Sequence, residues 1–63
     1  MKKYQKIKMV SDDYVSEGVK KGDVCYIIEI YNQDYCEVEF SNENGITIAL
    51  LSMRRDSFNI IDD

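Results

Sequence analysis

The sequence predicts an all-β domain of five short strands, and three observations carry that prediction. Apolar and polar residues alternate over Tyr4–Val10 and again through most of Val24–Leu51. The dipeptide Asn44-Gly45 separates two of the alternating stretches, and Asn-Gly readily adopts the positive φ values that a tight hairpin requires. No long run keeps an apolar period of 3.6 residues, so no substantial helix is predicted.

The elements follow in order. Tyr4–Val10 is a first strand, with Ile7 and Met9 on one face and Lys6 and Lys8 on the other. Ser11–Asp23 is polar and reads as a long loop, anchored by Tyr14, Val15 and Val19 and closed by a turn at Gly22-Asp23. Val24–Tyr31 and Tyr35–Ser41 are the second and third strands, joined by Asn32-Gln33-Asp34. The fourth strand, Ile46–Leu51, follows the Asn44-Gly45 turn. Met53–Ser57 is a connection with a single 3₁₀ turn. Phe58–Ile61 is the last strand, and Asp62-Asp63 is an acidic end. This order describes a small five-stranded SH3-like barrel with a long first loop and a short 3₁₀ turn before the last strand. Closing the sheet on itself would protect its edges. An OB-type barrel is the runner-up, weakened because such domains are usually longer and carry a helix between strands three and four.

The chain has 63 residues, enough for one domain, residues 1–63, near the lower limit for unaided folding. A barrel this small is filled by its own side chains, which leaves no deep cavity for a cofactor, and none is expected. Lys2 and Lys3 follow the first methionine without the apolar run of a signal peptide, and no stretch approaches the roughly 20 apolar residues of a membrane helix. A cytoplasmic protein is the simplest reading. The net charge of −4 argues against a nucleic-acid binder and suits a basic partner. Cys25 and Cys36 fall about 17 Å apart along the predicted ladder, beyond disulfide reach, and read as free thiols. Histidine is absent, so neither a zinc site nor histidine acid–base chemistry is indicated. With no glycine-rich phosphate loop or nucleophile elbow either, the chain does not read as an enzyme.

Four segments carry a resemblance: Glu17-Gly18-Val19-Lys20-Lys21-Gly22-Asp23-Val24, Ile28-Glu29-Ile30-Tyr31, Tyr35-Cys36-Glu37-Val38-Glu39-Phe40 and Gly45-Ile46-Thr47-Ile48-Ala49-Leu50-Leu51. Together they resemble a bacterial family of domains of unknown function, numbered 4926, over about Tyr14 to Ile60. The resemblance implies an SH3-like barrel and no catalytic residues. It also tilts the function toward antitoxin or immunity roles, because family members often look like small companions of toxin-type proteins.

The predicted turns set side-chain parity. A three-residue loop places Tyr31 opposite Tyr35, Ile30 opposite Cys36 and Glu29 opposite Glu37; the Asn44-Gly45 turn pairs Phe40 with Ala49 and Val38 with Leu51. The inner face then collects Tyr26, Ile28, Ile30, Cys36, Val38, Phe40, Thr47, Ala49 and Leu51, joined by Ile7, Met9, Phe58 and Ile60. The outer face collects Ile27, Glu29, Tyr31, Tyr35, Glu37, Glu39, Ile48 and Leu50. Facing glutamates beside exposed apolar anchors suit an interface with a basic partner: anchors for affinity, carboxylates for steering. Those eight residues are the candidate docking site, and the expected partner is a basic toxin domain such as a nuclease. Against it stands the plainer reading that Lys6 and Lys8 neutralise the glutamates and the long loop covers Ile27. The alternatives are a self-associating barrel, a homodimer through Ile27, Ile48 and Leu50, and an RNA-associated barrel, the last disfavoured by the acidic balance. Asp12-Asp13 reads as a solvated turn, and Arg54-Arg55 as a solubilising edge that could also grip a phosphate or carboxylate.

Overall fold

In the computed structural model of the chain, which describes residues 1–41 and 44–61 and only the backbone of Ile48, alternation works as the sequence requires along the first strand. Ile7 and Met9 are fully buried and Lys6 and Lys8 are exposed in β1 (Lys6–Met9). The other strands are β2 (Val24–Ile30), β3 (Tyr35–Ser41), β4 (Thr47–Arg54) and β5 (Phe58–Ile60). They form one antiparallel sheet in the order β4-β3-β2-β1-β5. A meander runs through β2, β3 and β4, a 3₁₀ turn (Arg55–Ser57) follows, and β5 returns to lie beside β1. This is the strand order of a small SH3-like barrel. The sheet is open, however, and β4 and β5 remain its two edges, where the sequence reading had the edges closed on each other.

The long first loop is more ordered than its composition suggests. It contains a 3₁₀ turn, Val15–Glu17, and sends Val19 into the core, while Val15, read as an anchor, is half exposed. Asp12 Oδ1 accepts from the Lys21 N–H at 3.0 Å, and Tyr14 Oη accepts from the Arg54 N–H at 3.1 Å. The loop ends in a tight turn: Asp23 N–H donates to Lys20 C=O, and Asp23 Oδ2 accepts from the Lys20 N–H. Gly22 sits within it at φ 94°, a conformation that side chains disfavour.

The β2–β3 turn follows its local chemistry. Asn32 Oδ1 accepts from the N–H groups of Asp34 (2.8 Å) and Tyr35 (3.0 Å), an Asx arrangement that closes the β2–β3 loop. Tyr31 then lies opposite Tyr35, donating to its carbonyl, and Ile30 pairs Cys36 and Glu29 pairs Glu37. Phe40 pairs Ala49 and Val38 pairs Leu51, as read from the sequence, but nearer the turn Ser41 pairs Thr47 where the count from Asn44-Gly45 gives Ile48. The predicted partner of Ile46 in that turn, Glu43, lies outside the described residues.

Two register slips change which residues face inward. In β2 the ladder skips between Ile27 and Glu29, so Ile28 is an extra residue, a β-bulge. Toward the N-terminal side of the bulge every side chain changes face: Ile27, placed outside by parity, is fully buried opposite Val38. Tyr26, placed in the core, is 42% exposed opposite Glu39. Ile28 itself is half-buried. A second slip, between Phe40 and Ser41, leaves Ile48 unpaired and turns Thr47, another predicted core residue, to solvent. The core consists of Ile7, Met9, Val19, Cys25, Ile27, Cys36, Val38, Met53 and Phe58, with Met1, Tyr14, Ile30, Phe40, Leu51 and Ile60 packed against it. Met53 enters because β4 runs three residues beyond the predicted strand, to Arg54.

Both cysteines are free and buried. Burial pushes the Cys25 thiol up to about 11, aided by the neighbouring Asp23 carboxylate, and also raises Cys36. Both should therefore resist alkylation at neutral pH in the folded chain and react fully in urea; fast labelling of the native protein would contradict a closed core. The bulge makes a second checkable distinction between neighbouring isoleucines. Ile27→Ala should cost about 2–4 kcal/mol by denaturant unfolding, and Ile28→Ala well under half of that. Equal losses would contradict the phase slip.

Candidate protein-docking face

The outer face of the sheet is built in rows that cross the strands. One row runs Lys6, Tyr26, Glu39, Leu50 from β1 to β4; the next runs Glu29, Glu37, Ser52. Tyr35 and Arg54 make the third, at the end of the sheet where the β2–β3 loop lies. Antiparallel pairing brings paired side chains to about 5 Å, so these rows are continuous surface.

Glu29 and Glu37 do face each other directly, and each carboxylate is met by local donors. Glu29 Oε1 accepts the Ile30 N–H at 3.1 Å and lies 3.3 Å from Lys3 Nζ. These contacts, the backbone donor first and Lys3 second, hold the Glu29 carboxyl below its usual range. Glu37 Oε1 accepts from Tyr31 Oη at 3.1 Å and from Ser52 Oγ at 3.0 Å. The Tyr31 hydroxyl is in turn raised, by desolvation first and then by the Glu37 carboxylate. Glu39 Oε1 accepts from Ser41 Oγ at 3.2 Å. The glutamates are thus fixed in orientation while the apolar groups around them remain open: Tyr26 42%, Tyr31 56%, Tyr35 46% and Leu50 54% exposed.

The structure brings Glu29, Tyr31, Tyr35, Glu37, Glu39 and Leu50 together on this face. It removes Ile27, which the bulge turns into the core, and the side chain of Ile48 lies outside what is described. It adds Tyr26 and Ser52. The doubled Ile27-Ile28 interrupts strict alternation and so permits a change of phase there, but the regular Leu50-Leu51 doublet shows that it does not dictate one. The cation beside Glu29 is Lys3. Lys6 and Lys8, the lysines singled out by sequence, stand opposite Tyr26 and Val24 instead.

The remaining candidates are tied into the fold. Arg54 Nη2 lies 2.6 Å from Asp13 Oδ2 and its Nε 3.1 Å from Asp56 Oδ1, with Asp56 the main cause of its raised pKa. Arg55 Nη1 donates to the Phe58 carbonyl at 3.0 Å, and its guanidinium stacks 5.1 Å from the Phe58 ring centre. With Asp34, Tyr35 and Asp56 these arginines line an open groove of about 470 Å³. Arg54 is engaged by two aspartates, and Arg55 is held by a carbonyl and a ring. Among the described residues no cluster of three metal-ligating side chains occurs, and no helix is long and apolar enough to cross a membrane.

A five-stranded SH3-like sheet with a tyrosine- and glutamate-lined outer face defines the class. Within it, the chain belongs to the family described as a domain of unknown function, DUF4926, whose family model matches residues 9–60. No curated protein and no solved structure matches the chain significantly.

The Lys3–Glu29 contact makes a pH prediction. A carboxyl whose folded pKa is depressed adds stability above its unfolded pKa and loses it as pH falls through the folded value. Lys3→Ala should move the Glu29 carboxyl back toward its ordinary 4.5 in an NMR titration and flatten the loss of stability in acid. An unchanged Glu29 titration would remove Lys3 from the site.

Proposed function

We propose that this chain is a non-catalytic protein-binding module, and that it acts in the cytoplasm as an immunity or antitoxin protein against a basic toxin domain such as a nuclease. The observation that supports this best is the combination on one face of orientationally fixed carboxylates and open apolar anchors. Glu29, Glu37 and Glu39 are held by local donors, and Tyr26, Tyr31, Tyr35 and Leu50 surround them with large exposed surfaces. Tyrosine is an economical anchor, since it offers a wide contact area with few rotatable bonds. Fixed carboxylates supply steering toward a cationic cleft without reorganisation on binding.

The net charge of −4 supports the same direction, because the long-range field of the chain attracts a basic protein and repels polyanions. The likeness of family members to small companions of toxin-type proteins tilts the reading toward an immunity or antitoxin role.

The test is the double substitution Glu37→Lys with Glu39→Lys, measured against the product of the neighbouring gene. The on-rate should fall at least tenfold at low salt, with the difference shrinking as salt screens the field. Tyr26→Ala should act mainly on the off-rate. Unchanged kinetics in a folded double variant would remove this face from the account.

A further inference from the structure

The outer face uses the side chains of β4, but the backbone of the same strand is a separate feature. The Arg54 N–H donates to Tyr14 Oη, and the Tyr35 carbonyl accepts from the Tyr31 N–H, so paired Tyr35 and Arg54 turn their backbone groups away from each other. In an antiparallel ladder this alternates, so Ser52, opposite Glu37, and Leu50, opposite Glu39, do the same. Their N–H and C=O groups point out of the sheet on the open side of β4. Among the described residues no backbone hydrogen bond from another segment reaches either residue.

Exposed edges are normally guarded by charge, proline or shortness. The other edge, β5, is guarded by shortness, with three residues. The β4 edge is the longest strand, eight residues, and Thr47–Met53 contains no charge and no proline. Its ends are defended: the bulge at Ile48 bends one, and Arg54 with the Tyr14 cap closes the other.

We propose that this edge pairs with the same edge of a second copy, β4 against β4 antiparallel about a two-fold axis at Leu51, to make one ten-stranded sheet. Only residues whose backbone points outward can form the new hydrogen-bonded pairs, which selects Leu50 opposite Ser52 of the second copy, and the reverse, with Leu51 opposite itself. The flanking pair is Ala49 with Met53. Every central pair is uncharged, so no like charges meet at the seam. The two-fold keeps the surface self-complementary and closed, which prevents fibre growth. Shifting the axis to Leu50 would bring the bulged Ile48 into the pairs; shifting it to Ser52 would bring in Arg54, whose N–H is already taken. This mode differs from an apolar-patch dimer in using main-chain groups, and it leaves the glutamate and tyrosine face open on both copies.

Sedimentation equilibrium from micromolar to millimolar chain should show a reversible monomer–dimer equilibrium. Leu50→Pro removes one outward N–H without touching the β3–β4 ladder and should give a monomer that still unfolds cooperatively. In the wild-type chain, hydrogen exchange at the Leu50 and Ser52 amides should slow at least tenfold between dilute and millimolar samples, with Leu51 unaffected by comparison. A wild-type monomer at millimolar concentration, or exchange at Leu50 and Ser52 independent of concentration, overturns the proposal. So do open-ended oligomers, which would indicate β4-to-β5 pairing instead.

Discussion

The arrangement of this small sheet depends on one extra residue in β2. Ile28 interrupts the β2–β3 ladder, and the chain before β1 is folded over the interruption to hold it. Ile27 N–H donates to Gln5 C=O at 3.0 Å, and Tyr4 N–H donates back to Ile27 C=O. Tyr4 reaches that carbonyl with φ at 72°, a left-handed conformation that costs a non-glycine residue about 1–2 kcal/mol. That strain is tolerable only because the bonds it completes cap the backbone next to the bulge. Without the slip, Ile27 would stand in water and the larger Tyr26 would have to take its place beside Val38 and Ile7.

The same slip decides the electrostatics of the outer face. It brings Tyr26 into the row of Glu39 and Leu50 and puts the N-terminal segment where Lys3 can meet Glu29. Facing glutamates on adjacent strands ordinarily repel. Here the Ile30 N–H and Lys3 stabilise one carboxylate, and the Tyr31 and Ser52 hydroxyls stabilise the other. The result is a set of oriented negative groups among open aromatic rings, with the lysines of β1 set apart at one side.

Polar residues of the first loop and the Arg54-Arg55 pair act as ties between distant segments. Asp13 joins the first loop to Arg54, Asp12 clasps the turn at Lys21, and Tyr14 caps the end of β4. Arg55 anchors the 3₁₀ turn to Phe58. A chain with so small a core gains order from such links, even though individual exposed ion pairs contribute little. Among the described residues they make no backbone hydrogen bond to the β4 edge between Leu50 and Ser52.

Local chemistry in the sequence was sufficient for the five strands, their order and the register on the far side of each turn. Asn32 closes its loop through its own side chain, and Asn44-Gly45 prefers a tight hairpin. The pairs Tyr31/Tyr35, Glu29/Glu37, Val38/Leu51 and Phe40/Ala49 follow by counting. What counting could not reach was where the phase slips. Tyr26, Ile27 and Ile28 run consecutively without a charged residue, so either face suits each of them by composition. The choice falls to Ile27 meeting Val38 and to the Tyr4 and Gln5 backbone arriving from far along the chain. For the same reason the burial of Val19 and Met53 and the pairing of Lys3 emerge only from the tertiary structure. Turn residues act over three or four positions, whereas a bulge is selected by everything packed against it.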